Sequence, residues 1–254
     1  MSHRTIVTTS WDDGEKYDLR VAELLKSRGI AATFYVPITS YLGRLSLTHA
    51  DLRSLSDQGF EIGAHGFSHK HLWKLPSAEL ESEIAPCKPI LEDIIGAEVP
   101  MFCYPRGRYD SEVIRALKKA GYRGARTVQM LATGLEFDPF EMPTTIQIAP
   151  HPPSSYLKNL LRGQKASRMR TLITNVRLLG DWLELGKTIF DSVLQSGGVW
   201  HLYGHSQEID ELGLWKGLEN ILDYVCHRNG VTYVCNGELV PGLSCETIQQ
   251  GQLL

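Results

Sequence analysis

Two histidines four residues apart, His65 and His69 in the run His-Gly-Phe-Ser-His, share this chain with an adjacent carboxylate pair, Asp12-Asp13. Imidazoles so spaced can face one cation on a helical turn. A carboxylate from a distant strand end can close a third position and leave room for a water. A water held by such a cation ionises near neutral pH and becomes the nucleophile of a hydrolase. Alone, Asp-Asp-Gly has the composition of a turn whose first carboxylate caps the following backbone. The histidine pair changes that reading, because two neutral imidazoles need an anionic ligand to complete a zinc-like site. If one aspartate ligates the metal, the other can serve as the base that takes the water's proton, provided a cation or hydrogen bonds hold it ionised.

A second pair, His201 and His205, lies in Val-Trp-His-Leu-Tyr-Gly-His. On a strand the odd positions share a face, so His201, Tyr203 and His205 point one way unless Gly204 kinks the chain. His205, at the strand's mouth, is the better placed to protonate a leaving amine, and His201 is the fallback. His71 reads as a surface histidine.

Positioning these groups takes a sheet, and the sequence alternates short β-rich runs with amphipathic stretches, the pattern of a parallel sheet covered by helices. Strands are predicted at Arg4–Ser10, Ala31–Pro37, Phe60–Ala64, Met101–Tyr104, Gly124–Val128, Val199–His205 and Val231–Cys235. Helices are predicted at Leu19–Ser27, from a Thr48 cap with Asp51 at capping-box distance to near Gly59, and at Ser111–Ala120, Tyr156–Leu161, Asp181–Gln195 and Trp215–Arg228. The proline-rich Leu131–Pro153 reads as a long loop or edge strands. The basic stretch Ser167–Leu179 reads as a solvated helix face or mobile loop. The polar clusters then fall at strand carboxyl ends, where α/β barrels carry their active sites.

The 254 residues, 43% hydrophobic and 22% charged, suit one domain spanning residues 1–254 with a full core. A net charge of −3 without a long basic run argues against nucleic acid as a partner. No signal peptide or transmembrane stretch is evident, and five cysteines without a Cys-x-x-Cys pair suit reduced thiols, so a cytoplasmic location is expected.

The set Thr9 to Gly14 (Thr-Ser-Trp-Asp-Asp-Gly), His65 to His69, Phe102 to Gly107 (Phe-Cys-Tyr-Pro-Arg-Gly) and the late His205 resembles the polysaccharide deacetylase family, the NodB-homology or carbohydrate esterase 4 group. The likeness is close over about the first 130 residues and looser beyond. It implies an α/β fold, a distorted (β/α)7 barrel of the NodB-homology type. It further implies Asp12 as catalytic base, Asp13, His65 and His69 as metal ligands, and His205 as catalytic acid. The cofactor implied is a divalent metal, zinc first, with cobalt, manganese or nickel also suited to two histidines and an aspartate. The family's third motif, Arg-x-Pro-Tyr, has Cys103 where its orienting arginine belongs, so Arg106 or Arg126 must supply that cation. Backbone N–H groups at Tyr104 or its neighbours are the implied oxyanion donors. Asp181-Trp182 resembles the Asp-Trp of the family's fourth motif and is also an ordinary helix start. The activity implied is removal of N-acetyl groups from an amino-sugar substrate. Hydrolysis of other carbon–nitrogen bonds, as in allantoin-like or cyclic imide rings, and an inactive carbohydrate-binding barrel are the alternatives. The partner expected is a carbohydrate or small amide.

Overall fold

The computed structural model describes residues 4–39, 43, 45–160 and 166–243. Cys245 and Leu161 lie outside the described residues. The chain opens with β1 (Thr5–Asp12), whose β-branched run is buried throughout, as a central parallel strand covered on both faces requires. Helix α1 (Asp18–Lys26), β2 (Thr33–Val36), α2 (His49–Asp57) and β3 (Glu61–Ala64) follow. The capping box forms as expected, Thr48 Oγ1 accepting from the Asp51 N–H while Asp51 accepts from the Thr48 N–H.

Two helices then appear that periodicity did not flag, α3 (Ser77–Ile84) and α4 (Cys87–Ile95). Each begins just after a proline, and Pro89 falls in the first turn of α4, where a missing N–H costs nothing. Strand β4 (Met101–Cys103), a 3₁₀ turn Pro105–Gly107, α5 (Ser111–Lys119) and β5 (Gly124–Arg126) come next, then the short β6 (Ile146–Gln147) and α6 (Pro153–Leu160). The remainder is α7 (Ala166–Thr174), α8 (Trp182–Ser196), β7 (Gly198–His205), α9 (Ser206–Glu211), α10 (Trp215–Val225) and β8 (Val231–Tyr233).

All strand pairs are parallel, in the order β5-β4-β3-β2-β1-β7-β6, with β8 pairing the first half of β1. The proline-rich segment before β6 draws the two ends of this path together. Met142 bonds to β5 through Ala125 O, Thr144 donates to Gln129 O, and Thr145 donates to His201 O on β7. The result is the distorted seven-strand barrel that the sequence implies, with the eighth strand off the path. Outside it, Leu185, Ile189 and Val193 of α8 and Leu218, Ile221 and Leu222 of α10 are buried, each such side chain contributing about 1.5–3 kcal/mol.

One residue departs from expectation. The stretch after Ser167 largely faces solvent, Arg170 and Arg177 included, but Arg168 is 2% exposed. Its guanidinium donates to Met130 O, Gln129 Oε1, Asn159 O and Asn159 Oδ1, which clamps α7 and α6 onto the segment after β5. Burial lowers its pKa to about 10, still far above neutral. The charge is solvated by amide oxygens instead of water, an arrangement that no charge count along the sequence reveals.

Candidate active site

Strand register places the chemistry. Asp12 and His205 are direct Cα partners across β1 and β7, and Cys103 and Arg126 are partners across β4 and β5. Directly after β3, His65 donates its backbone N–H to Val36 O. These residues therefore meet at one end of the sheet, where Asp12, Asp13, His65, His69 and His205 line a cavity of about 550 Å³ and Cys103 and Arg126 lie buried behind it.

The histidine pair does not sit on a helical turn. The run is an irregular bend, with Gly66 at φ +82° and His69 at φ +57°, and it brings the two rings to 4.7 Å between centroids. Glu83 of α3, which sequence reasoning passed over, secures the bend. Its carboxylate accepts from the Ser68 N–H at 2.9 Å and from Ser68 Oγ at 2.5 Å. Among the described residues six non-glycine positions have left-handed backbone, and three of them, Asp13, His69 and Arg106, line the cavity. Such strain, of order 1–3 kcal/mol per residue, gathers where geometry serves function.

The donor set fits a cation. Asp13 Oδ1 is buried with no hydrogen bond, 3.1 Å from His69 Nε2 and 3.5 Å from His65 Nε2. Ligand atoms of a tetrahedral zinc site are about 3.3 Å apart, which these separations bracket. His65 Nδ1 lies 2.8 Å from Cys103 O, a contact that fixes the ring with Nε2 turned toward Asp13. Burial alone would raise the Asp13 carboxyl, but the facing imidazoles hold it below the usual carboxylate range. Asp12, His65 and Cys103 also cluster, yet the Asp12 carboxylate is already bound to Arg126. The Asp13, His65 and His69 group is the one that could hold a metal.

Asp12 is held ionised from the other side. Its Oδ1 accepts from Arg126 Nη2 in a fully buried ion pair, while Oδ2 lies 3.7 Å from Cys103 Sγ and 3.8 Å from His205 Nε2. Burial raises the Asp12 pKa, and Arg126, then His65 and His205, bring it below the ordinary value. Of the two candidate cations, Arg126 reaches Asp12, and Arg106 is exposed on the cavity rim.

His205 has a partner that sequence reasoning missed. Its Nδ1 lies 3.4 Å from Glu208 Oε2, one turn along α9. Glu208 accepts in turn from Gln147 Nε2, and Gln147 Oε1 accepts from Tyr203 OH at 2.7 Å and faces His151 Nε2 at 2.9 Å. Burial would lower the His205 imidazole, but the Glu208 bond and the two aspartates raise it above its ordinary value. His201 is elsewhere, 1% exposed, with Nε2 against Ser10 Oγ and Nδ1 against Pro143 O. Burial and Arg126 push it down to about 3, so it stays neutral and braces the sheet. Tyr104 is fully buried. Its N–H donates to Arg126 O in the β4–β5 ladder and its hydroxyl to Phe140 O, so an oxyanion role would require that ladder bond to open.

Residues 2–125 match the model of the polysaccharide deacetylase family. This match covers 124 of the 254 residues, just under half of the chain, so the likeness to the polysaccharide deacetylase family is carried by its N-terminal part. The Bacillus subtilis protein YxkH, which carries the family's name, is 27% identical over 48% of this chain and 44% of its own length. A chitin deacetylase of Pestalotiopsis is 28% identical over 51% of this chain and 42% of its own length. The matches thus take in less than half of each of these curated relatives. Among solved structures, the chitin deacetylase of Colletotrichum lindemuthianum superposes with a TM-score of 0.62 at 17% identity, covering 97% of this chain and 92% of that one. The family 4 acetyl xylan esterase of Clostridium thermocellum, solved with a cobalt ion, gives 0.57 at 15% identity, covering 92% and 90%. At these identities the likeness is one of fold.

Set against the pattern of that family, the chain departs in two places. Cys103 stands where the third motif has arginine, and its register partner Arg126 delivers a guanidinium from the next strand to the same level. Asp181 caps α8 by accepting from the Leu183 and Glu184 N–H groups at 3.1 Å, so here Asp181-Trp182 is a helix start away from the cavity.

Proposed function

We propose that the chain is a metal-dependent hydrolase that removes N-acetyl groups from amino-sugar glycosides. The observation that carries this reading is the opposition of Asp12 and His205 across β1 and β7, directly beside the Asp13, His65 and His69 donor set. A divalent metal bound by those three residues, zinc or cobalt above all, would polarise the acetamide carbonyl and lower the pKa of the attacking water.

The chain's own residues do the rest. Asp12, ionised by Arg126, takes a proton on Oδ2, the oxygen that Arg126 leaves free. The hydroxide so formed adds to the acetyl carbon. His205, protonated and held at Nδ1 by Glu208, gives its Nε2 proton to the amine nitrogen as the C–N bond breaks. Acetate and the free amine leave, and the 3.8 Å between Asp12 Oδ2 and His205 Nε2 lets the proton return to His205. Arg126 fills the gap on which the alternative of an inactive barrel rested. The substrate we favour is a small glycoside, on the same footing as a cytoplasmic location: the four described cysteines are free thiols and, among the described residues, no helix is long and apolar enough to cross a membrane.

Chelation should abolish acetate release from N-acetylglucosamine glycosides, and zinc or cobalt should restore it. His69→Ala should retain well under one metal per chain by mass spectrometry and be inactive at any added zinc. Undiminished turnover after exhaustive chelation would remove the metal from the mechanism.

Glu208→Gln should keep its metal and show a changed pH profile. Glu208 raises the His205 pKa, so its loss lowers that pKa. The alkaline limb of kcat, where protonated His205 is lost, should move to lower pH. An unmoved limb would dissociate Glu208 from the acid.

A further inference from the structure

Beside the catalytic cavity lies a second hollow of about 310 Å³, lined by Trp73, Gly107, Arg108, Tyr109, Val128 and Gln129. Val128 lines both spaces, so the two are neighbours on one face of the barrel. Their dividing wall is rigid. A Cβ on Gly107 would sit 2.1 Å from Val128 Cγ2, so the valine rests directly on that glycine. Tyr109 stacks on the buried Tyr104 at 4.4 Å, and Gln129 is fixed at both ends, donating to Tyr109 OH and accepting from Arg168.

Trp73 is the unusual member. Leu72, fully buried, anchors the chain just before it, and the Lys74 N–H just after it donates to Asp110 Oδ2. The indole is thus held outward on a fixed backbone, 42% exposed, four residues beyond His69. Two cations attend it, Lys74 Nζ at 4.3 Å and the Arg108 guanidinium at 5.5 Å from the ring centroid. Among the described residues no carboxylate pairs with Lys74 or Arg108, both of which are exposed. A preorganised aromatic face beside unneutralised donors suits a ring that presents C–H groups to the indole and an anion to the guanidinium.

We propose that this hollow is a subsite for a negatively charged sugar ring, linked to the ring that loses its acetyl group. The inference rests on the deacetylase reading for its catalytic readout. It narrows the substrate to glycosides of at least two rings, the second carrying a carboxylate or a phosphate. Trp73 supplies stacking, and Arg108 the bidentate contact to the anion, while Lys74 adds positive field.

The test compares three substrates: N-acetylglucosaminyl-glucose, its glucuronic acid counterpart and its glucose 6-phosphate counterpart. For wild type, kcat/KM should be about tenfold higher for at least one charged disaccharide than for the neutral one, and the gap should shrink with added salt. The better charged substrate identifies the anion as uronate or phosphate ester. Arg108→Gln should abolish the preference, bringing kcat/KM for the charged disaccharides down to that of the neutral one. Trp73→Ala should raise KM about tenfold for the disaccharides. Equal kcat/KM for all three substrates in wild type, or an unaltered KM in Trp73→Ala, would overturn the subsite. Calorimetric titration of the charged disaccharides separates this from the parent reading. Trp73-dependent binding without acetate release would sink the deacetylase and keep the subsite.

Discussion

Asp12→Asn protein is expected to bind metal as wild type does and to release acetate at least about a hundredfold more slowly, the ordinary contribution of a positioned general base. The reasoning is local. Asp12 Oδ1 accepts from Arg126, and an asparagine oxygen can accept the same bond, so the buried guanidinium keeps an acceptor. The change falls on Oδ2, which faces Cys103 and His205 and becomes an amide nitrogen unable to take a proton. Asp13→Asn is the matching control. It weakens the anionic member of the donor set beside two neutral imidazoles, so metal and activity should disappear together. Metal content, acetate release and circular dichroism on the same samples distinguish the two aspartates. A fully active Asp12→Asn enzyme would strip Asp12 of the base role, and a metal-replete Asp13→Asn would do the same to the ligand.

Why adjacent aspartates diverge so sharply is legible only in part from the sequence. Their types and order relative to Gly14 are plain. The left-handed backbone at Asp13, φ +75°, is not, yet it is what turns one carboxylate toward the histidines while the other stays in register with His205. The same division runs through the molecule. Strands β1, β2, β3 and β7 and the Thr48 capping box follow from alternation and end signals that local sequence carries. A spacing of four suits a helical turn as well as the observed bend, and beyond Gly66 nothing local announces the left-handed backbone at His69. Glu208 escaped notice because its tie to His205 exists only once α9 begins at Ser206 and sets the two one turn apart. Arg168 was misplaced because a run of arginines says nothing of which one the fold turns inward. The choice between Arg106 and Arg126 needed register, since only the pairing of Cys103 with Arg126 puts a guanidinium level with the vacated arginine position.

That pairing makes Arg126 the residue whose loss should cost the fold most. Arg126→Met keeps an unbranched apolar stem but removes the guanidinium and leaves Asp12 buried without its cation, for which about 3–5 kcal/mol of destabilisation is the usual scale. The pH dependence carries the diagnostic. In wild type the folded Asp12 pKa lies below its unfolded value, so its contribution is present above about pH 4 and is lost as pH falls through the folded pKa. In Arg126→Met, burial is no longer opposed by the guanidinium, and the folded pKa rises above the unfolded one. A carboxyl so shifted favours the fold at low pH, and that advantage fades as pH climbs through the raised value. The stability gap between the two proteins should therefore widen as pH rises through about 4 and above in chemical denaturation. Arg126→Lys, which restores the charge without the planar fork, should recover most of the stability and less of the turnover, because orienting the base requires the geometry as well as the charge. A gap independent of pH would mean that Arg126 acts by packing alone, and the asymmetry between Asp12 and Asp13 would then need another cause.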